Sequence, residues 1–130
     1  MVLLHCIVLQ DQIDEQKSDP NLGMHHLSTL QTVCALATLY YNMGKLDDAK
    51  IKFELVLAGR LKQLGEEHAD TLAVVNSIGN VLKKKGELAE AQTYYERALR
   101  GRAKSLGDDH LTTANTAAQL AALLAEQVGT

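Results

Sequence analysis

The segment LGEEHADTL, Leu64 to Leu72, places His68 within two positions of Glu66, Glu67 and Asp70. An imidazole among carboxylates is the residue set of a metal site or of acid–base catalysis, since it joins a nitrogen ligand or proton carrier to oxygen ligands or an orienting acid. The same stretch has relatives elsewhere in the chain. It reads LGMHH from Leu22, LGEEH from Leu64 and LGDDH from Leu106, so Leu, Gly and His recur at one spacing. The acids do not recur with them, because His26 is preceded by Met24 and His25. A residue that persists while its co-ligands change reads as a piece of a junction between helices, bonding the loop or packing on a neighbouring hairpin. Adjacent histidines would point apart on a helix, and HExxH is missing. No metal and no other cofactor are expected.

Other reactive constellations fail in the same way. The chain holds no phosphate loop, no G-x-S-x-G elbow and no cysteine with a suitable His and acid, so an enzyme is not expected. Cys6 and Cys34 lie 28 residues apart and form no CxxC pair, which fits reduced thiols in a cytoplasmic protein. The run VLLHCIVL near the N-terminus lacks a basic flank and is too short to span a bilayer; it reads as part of a packed helix. Thirteen basic against sixteen acidic residues make no field that would select nucleic acid or an anionic membrane, so neither is an expected partner. Arg97, Arg100, Arg102 and Lys104 form a basic side of one helix, but no aromatic residues are interleaved for base stacking, and a solvated face is the better reading.

The elements that carry these residues come from an internal repeat. His26, His68 and His110 are 42 apart, and the same offset joins Gly44 to Gly86, Ala49 to Ala91, Glu54 to Glu96, Gly59 to Gly101 and Arg60 to Arg102. Aligning 24–65 with 66–107 gives 14 identities in 42 positions, a register chance does not produce. Residues 108–130 begin a third copy and residues 1–23 hold an N-terminal helix, a candidate remnant of a preceding hairpin, although Asp11 falls where Phe53 and Tyr95 lie.

Each copy contains two apolar patterns at spacings of 3 and 4, parted by a glycine, with one Pro, one Phe and no Trp in the chain; the fold class is all-α. In the second copy Leu72, Val75, Ile78, Gly79 and Leu82 form one stripe, and Leu88, Ala91, Tyr95, Ala98 and Leu99 the next. Gly44 and Gly86 stand where a left-handed residue ends the first helix, and Gly65 and Gly107 end the second. Asp70 or Thr71 is the candidate cap of the next helix. Gly79 with Ala91, and Ala37 with Ala49, are expected to mark close approach of paired helices, while Tyr40, Phe53 and Tyr95 fill wider gaps. One hairpin cannot cover its own apolar face, so hairpins must stack.

These positions resemble the tetratricopeptide repeat (TPR). Copy one matches with Val33, Leu36, Ala37, Tyr40, Gly44, Ala49 and Phe53, with Val56 in place of the last Ala; copy two offers Val75, Ile78, Gly79, Gly86, Ala91, Tyr95 and Ala98, with Leu82 for the Tyr. The 42-residue period and the LGxxHxxTL linker resemble the variant in kinesin light chains, against about 34 residues for the ordinary unit. The resemblance covers about residues 24 to 127 and implies an α-solenoid of stacked antiparallel hairpins in a right-handed superhelix. It also implies a non-enzymatic scaffold that holds a peptide or helix of a partner protein in a concave groove lined by the first helices.

On those helices the groove positions correspond to Gln31, Cys34, Ala35, Thr38, Tyr41 and Asn42 in copy one. They correspond to Ala73, Asn76, Ser77, Asn80, Lys83 and Lys84 in copy two, and to Asn115, Ala118, Gln119, Ala122 and Glu126 in copy three. Asn76 and Asn80 share a helix face and offer donors and acceptors to an extended backbone, a use of asparagine the resemblance also implies; Lys83 and Lys84 would attract an acidic segment. Asn115 and Gln119 stand where chaperone-binding repeats carry basic residues, so capture of a chaperone C-terminus is not expected. The competing reading is a structural module that forms a homodimer through an uncovered terminal helix, since ANTAAQLAALLAEQ has no partner behind it.

Overall fold

A computed structural model of the chain describes residues 2–18 and 27–128. The described residues form six helices: α1 (Val2–Ser18), α2 (Leu27–Asn42), α3 (Leu46–Leu64), α4 (Ala69–Lys85), α5 (Leu88–Leu106) and α6 (Leu111–Val128). The all-α expectation and the hairpin period both match. Met24, His25 and His26, where the first copy begins, lie outside the described residues. Contacts divide the chain into two compact units, Met1–Gln63 and Leu64–Thr130.

In the first unit α1 packs on α2, burying Cys6, Leu9 and Ile13, while Leu30, Val33, Leu36 and Ala37 of α2 and Ala49, Phe53 and Val56 of α3 complete the core. Burying each large aliphatic side chain stabilises the fold by about 1.5–3 kcal/mol. Cys6 Sγ lies 3.8 Å from Met43 Sδ. The Tyr40 hydroxyl is pushed above its ordinary pKa by burial first, and then by Cys6 and Asp48. The α2 helix stops at Gly44, whose φ of 82° suits a residue without a side chain. The Gly44 N–H donates to Tyr41 O at 3.1 Å and the Lys45 N–H to Tyr40 O at 2.9 Å, satisfying carbonyls at the helix end.

In the second unit α5 packs against both α4 and α6. The same stop recurs at Gly86, with φ of 88°: its N–H donates to Lys83 O and the Glu87 N–H to Leu82 O. The stripe Leu72, Val75, Ile78, Gly79 and Leu82 is buried against α5, which contributes Ala91, Tyr95 and Ala98. Gly79 does mark a close approach, but against Tyr95 instead of Ala91: a Cβ there would stand 2.9 Å from the Tyr95 ring. Two further glycines do the same work. A Cβ on Gly59 would come within 2.6 Å of Leu30, and one on Gly101 within 2.5 Å of Leu72, so the N-terminal ends of α2 and α4 rest on glycines of α3 and α5 respectively.

The linker threonines also recur in space. Thr29, Thr71 and Thr113 are 42 apart, are 0%, 0% and 3% exposed, and each Oγ1 is buried with no hydrogen-bond partner. Their methyl groups pack; their hydroxyls carry a desolvation cost.

Candidate functional site

On α4, Asn76, Ser77, Asn80 and Lys83 are half-exposed and Lys84 is exposed, all outside the buried stripe, with Asn76 and Lys83 on its flank. The two amides differ. The Tyr95 hydroxyl donates to Asn80 Oδ1, which holds that side chain against α5 and leaves its N–H2 as what it can offer a ligand. Asn76 Oδ1 is buried and has no hydrogen-bond partner. Asn80 is therefore partly a structural residue, a role its spacing from Asn76 does not reveal. The Ser77 hydroxyl donates to Ala73 O at 3.0 Å, so toward a ligand it presents lone pairs. Asn115 and Gln119, on α6 of the same unit, are exposed and half-exposed.

The remaining expected positions lie on α2 in the first unit: Thr38 and Asn42 are exposed and Tyr41 half-exposed. Thr38 repeats the Ser77 pattern, its hydroxyl donating to Cys34 O at 3.0 Å.

The LGEEH cluster is held together by other chemistry. His68 is the N-cap of α4, with extended backbone (φ −65°, ψ 141°), and its Nδ1 accepts from the Asp70 N–H at 3.1 Å. His110 repeats the bond with the Thr112 N–H at 3.1 Å. This corrects the expectation of a cap at Asp70 or Thr71: α4 already begins at Ala69, so Asp70 lies in its first turn and Thr71 points into the core. The acids turn toward α5. Glu66 pairs with Arg97 at 3.6 Å and Glu67 with Lys104 at 2.6 Å, and the hydrogen bond to Glu67 raises the Lys104 pKa. The Ser105 hydroxyl adds a bond to Glu67 O. No group of three or more His, Cys, Asp or Glu able to hold a metal ion occurs among the described residues.

The basic side of α5 is thus tied to the protein's own groups at three of its four cations. Arg102 donates to Thr116 Oγ1 at 2.6 Å across to α6, and burial lowers its pKa. A cleft of about 210 Å³ remains between the loop and α5, lined by Glu66, Glu67, Arg97, Arg100 and Lys104. Four of its five charges already face one another in pairs, Glu66 with Arg97 and Glu67 with Lys104.

The tetratricopeptide repeat family profile matches residues 26–102 and again 70–129, together most of the chain. The chain belongs to the tetratricopeptide repeat family. Solved structures agree. A Podosopora anserina protein of nearly identical TPR-like repeats, named for the kinesin light chain, superimposes with a TM-score of 0.81, 25% identity and 94% of this chain covered. A variant of it gives 0.82, 25% and 98%. BtubC (BKLC) from P. vanneervenii gives 0.76 and 92% coverage at 21% identity, a likeness of fold alone. The chain spans 46%, 57% and 59% of the length of BtubC, the Podosopora protein and its variant respectively. No curated protein matches it significantly.

The TPR chain accordingly has the α-solenoid fold of its neighbours, with α2, α4 and α6 as first helices and α3 and α5 as second helices. TPR units generally mediate protein–protein interaction and are typically non-catalytic. No helix among the described residues is long and apolar enough to cross a membrane.

Proposed function

We propose that this TPR chain binds a peptide or helix of a partner protein on the exposed face of its first helices, with α4 supplying the specific contacts. The observation that carries this reading is a half-exposed Asn76 beside an Asn80 oriented by Tyr95. The N–H2 of Asn80 donates to a carbonyl of an extended segment lying there, and the Asn76 amide pairs with the next backbone group. Lys83 and Lys84 add attraction for an acidic segment. Asn115 and Gln119 on α6 add polar groups in the same unit, and Thr38, Tyr41 and Asn42 on α2 are the corresponding groups of the first unit.

Partner capture from lysate, compared quantitatively between forms, tests this. Asn76→Ala combined with Asn80→Ala is expected to weaken the interaction on the order of tenfold, the loss of one or two hydrogen bonds, with helical content unchanged. Tyr95→Phe keeps the ring and is expected to give a smaller loss by releasing Asn80. Undiminished capture by the double variant would place the partner elsewhere on the molecule.

A further inference from the structure

His68 and His110 cap their helices by accepting a hydrogen bond, and only an uncharged imidazole can accept. Nδ1 of His68 takes the Asp70 N–H and Nδ1 of His110 takes the Thr112 N–H, each at 3.1 Å. An accepting Nδ1 places the ring proton on Nε2, so a second proton can go only to the lone pair that makes the cap. Both caps lie in one compact unit, Leu64–Thr130, at the starts of α4 and α6. A helix start capped by Ser, Asn or Asp has no such dependence near neutral pH.

The charges around each ring decide whether a proton gains more than the cap loses. Asp70 Oδ2 stands 4.0 Å from His68 Nδ1, with the imidazole and the carboxylate 44% and 64% exposed, so its attraction for an imidazolium is that of a surface pair and is weak. Glu66 and Glu67 of the same loop are engaged by Arg97 and Lys104 of α5, whose own charges oppose a further cation there. Beside His110 the loop supplies exposed Asp108 and Asp109, of which Asp108 shares a cleft with Glu96 and Arg100 of α5. Uncharged Thr112 holds the place of Asp70, and the first turn of α6 contains no acid. Each ring also sits at a helix N-terminus, where unpaired N–H groups repel a cation. Cap and helix dipole act together against the proton, and only exposed carboxylates act for it.

We infer that proton uptake by His68 and His110 releases the first turns of α4 and α6, a pH-sensitive device built into the junctions of the repeat. The unfolded chain binds those protons freely and the capped chain does not. The contribution of the caps is therefore fully present above the ordinary histidine range, about 6.5, and is lost as pH falls through and below it. Release is confined to the helix starts. The Leu72 N–H still donates to His68 O at 3.0 Å and the Ala114 N–H to His110 O at 2.9 Å, through backbone groups that do not titrate. Peptide binding by α4 is independent of this device, because Asn76 lies about two turns beyond the cap.

Urea unfolding of the whole chain at about pH 8 and about pH 5.5, where carboxylates stay ionised, tests this. The comparison is His68→Asn combined with His110→Asn, since asparagine caps a helix at either pH. Relative to that variant, the unfolding equilibrium constant of the parent is expected to rise about tenfold between the two conditions, about threefold for each cap. Each single variant is expected to keep about half of the response on a logarithmic scale. A second measurement needs no variant: nitrogen NMR shifts of the imidazoles at the higher pH are expected to show the Nε2–H tautomer at both positions. A parent whose pH response equals that of the double variant overturns the inference. So does a parent that gains stability toward acid relative to the variant, the result if Asp70, Asp108 and Asp109 prevail. An Nδ1–H tautomer at either ring also overturns it, because that nitrogen would then be a donor and no cap.

Discussion

At the residue scale, the recurring histidine is a cap. Nδ1 of His68 and of His110 takes the place that a short oxygen side chain usually fills at a helix start, accepting an N–H that the helix leaves unpaired. His68→Ala is expected to cost about 1 kcal/mol and His68→Asn much less, read as shifts in the urea midpoint at constant m. A loss in both variants of several kcal/mol would mean that the imidazole ring holds the loop by packing. The buried threonine of the same linker carries the opposite expectation. Thr71 has a hydroxyl that is buried and unbonded, so Thr71→Val should stabilise the chain by roughly 1 kcal/mol by the same measurement. The repeat of His and Thr is visible in the sequence; the division of labour between them is not, because Asp70 has equally good capping chemistry and only the position of the helix start excludes it.

At the element scale, the α4–α5 hairpin depends on the nesting of Tyr95 over Gly79, from which the tyrosine hydroxyl reaches Asn80. Gly79→Ala gains about 1 kcal/mol of helix propensity but drives a methyl group into the ring, so a net loss of about 1–2 kcal/mol is expected in thermal or urea unfolding. The third copy supplies a control, since Ala121 occupies the same position on a face that α5 does not cover. There Ala121→Gly should destabilise through propensity alone, by about 1 kcal/mol. A stabilising Gly79→Ala would show that the two helices separate easily, and with that the orienting of Asn80 would lose its support. The small residues are legible in the sequence as signs of close approach. Their partners are not, because the residue that meets a glycine depends on the crossing of two helices and not on the spacing within either.

At the scale of the whole molecule, the sequence by itself determined that the chain is all-helical, that its unit is a 42-residue hairpin, and which face of each helix is apolar. Those properties are local: period, glycine stops and side-chain size act within a few residues and repeat with them. The tertiary structure alone decided that Glu66 and Glu67 pair with α5 in place of His68, that Gly59 and Gly101 seat Leu30 and Leu72, and that Asn80 but not Asn76 is held by a tyrosine. Each of these joins residues about 15 to 40 positions apart, and such pairs are selected by how one helix rotates against the next. Only solvent exposure in the folded chain separates Ala114, Ala117, Ala121 and Leu124 of α6, which are exposed, from their buried counterparts on α4, since both stripes read as apolar in the sequence and differ in what packs over them.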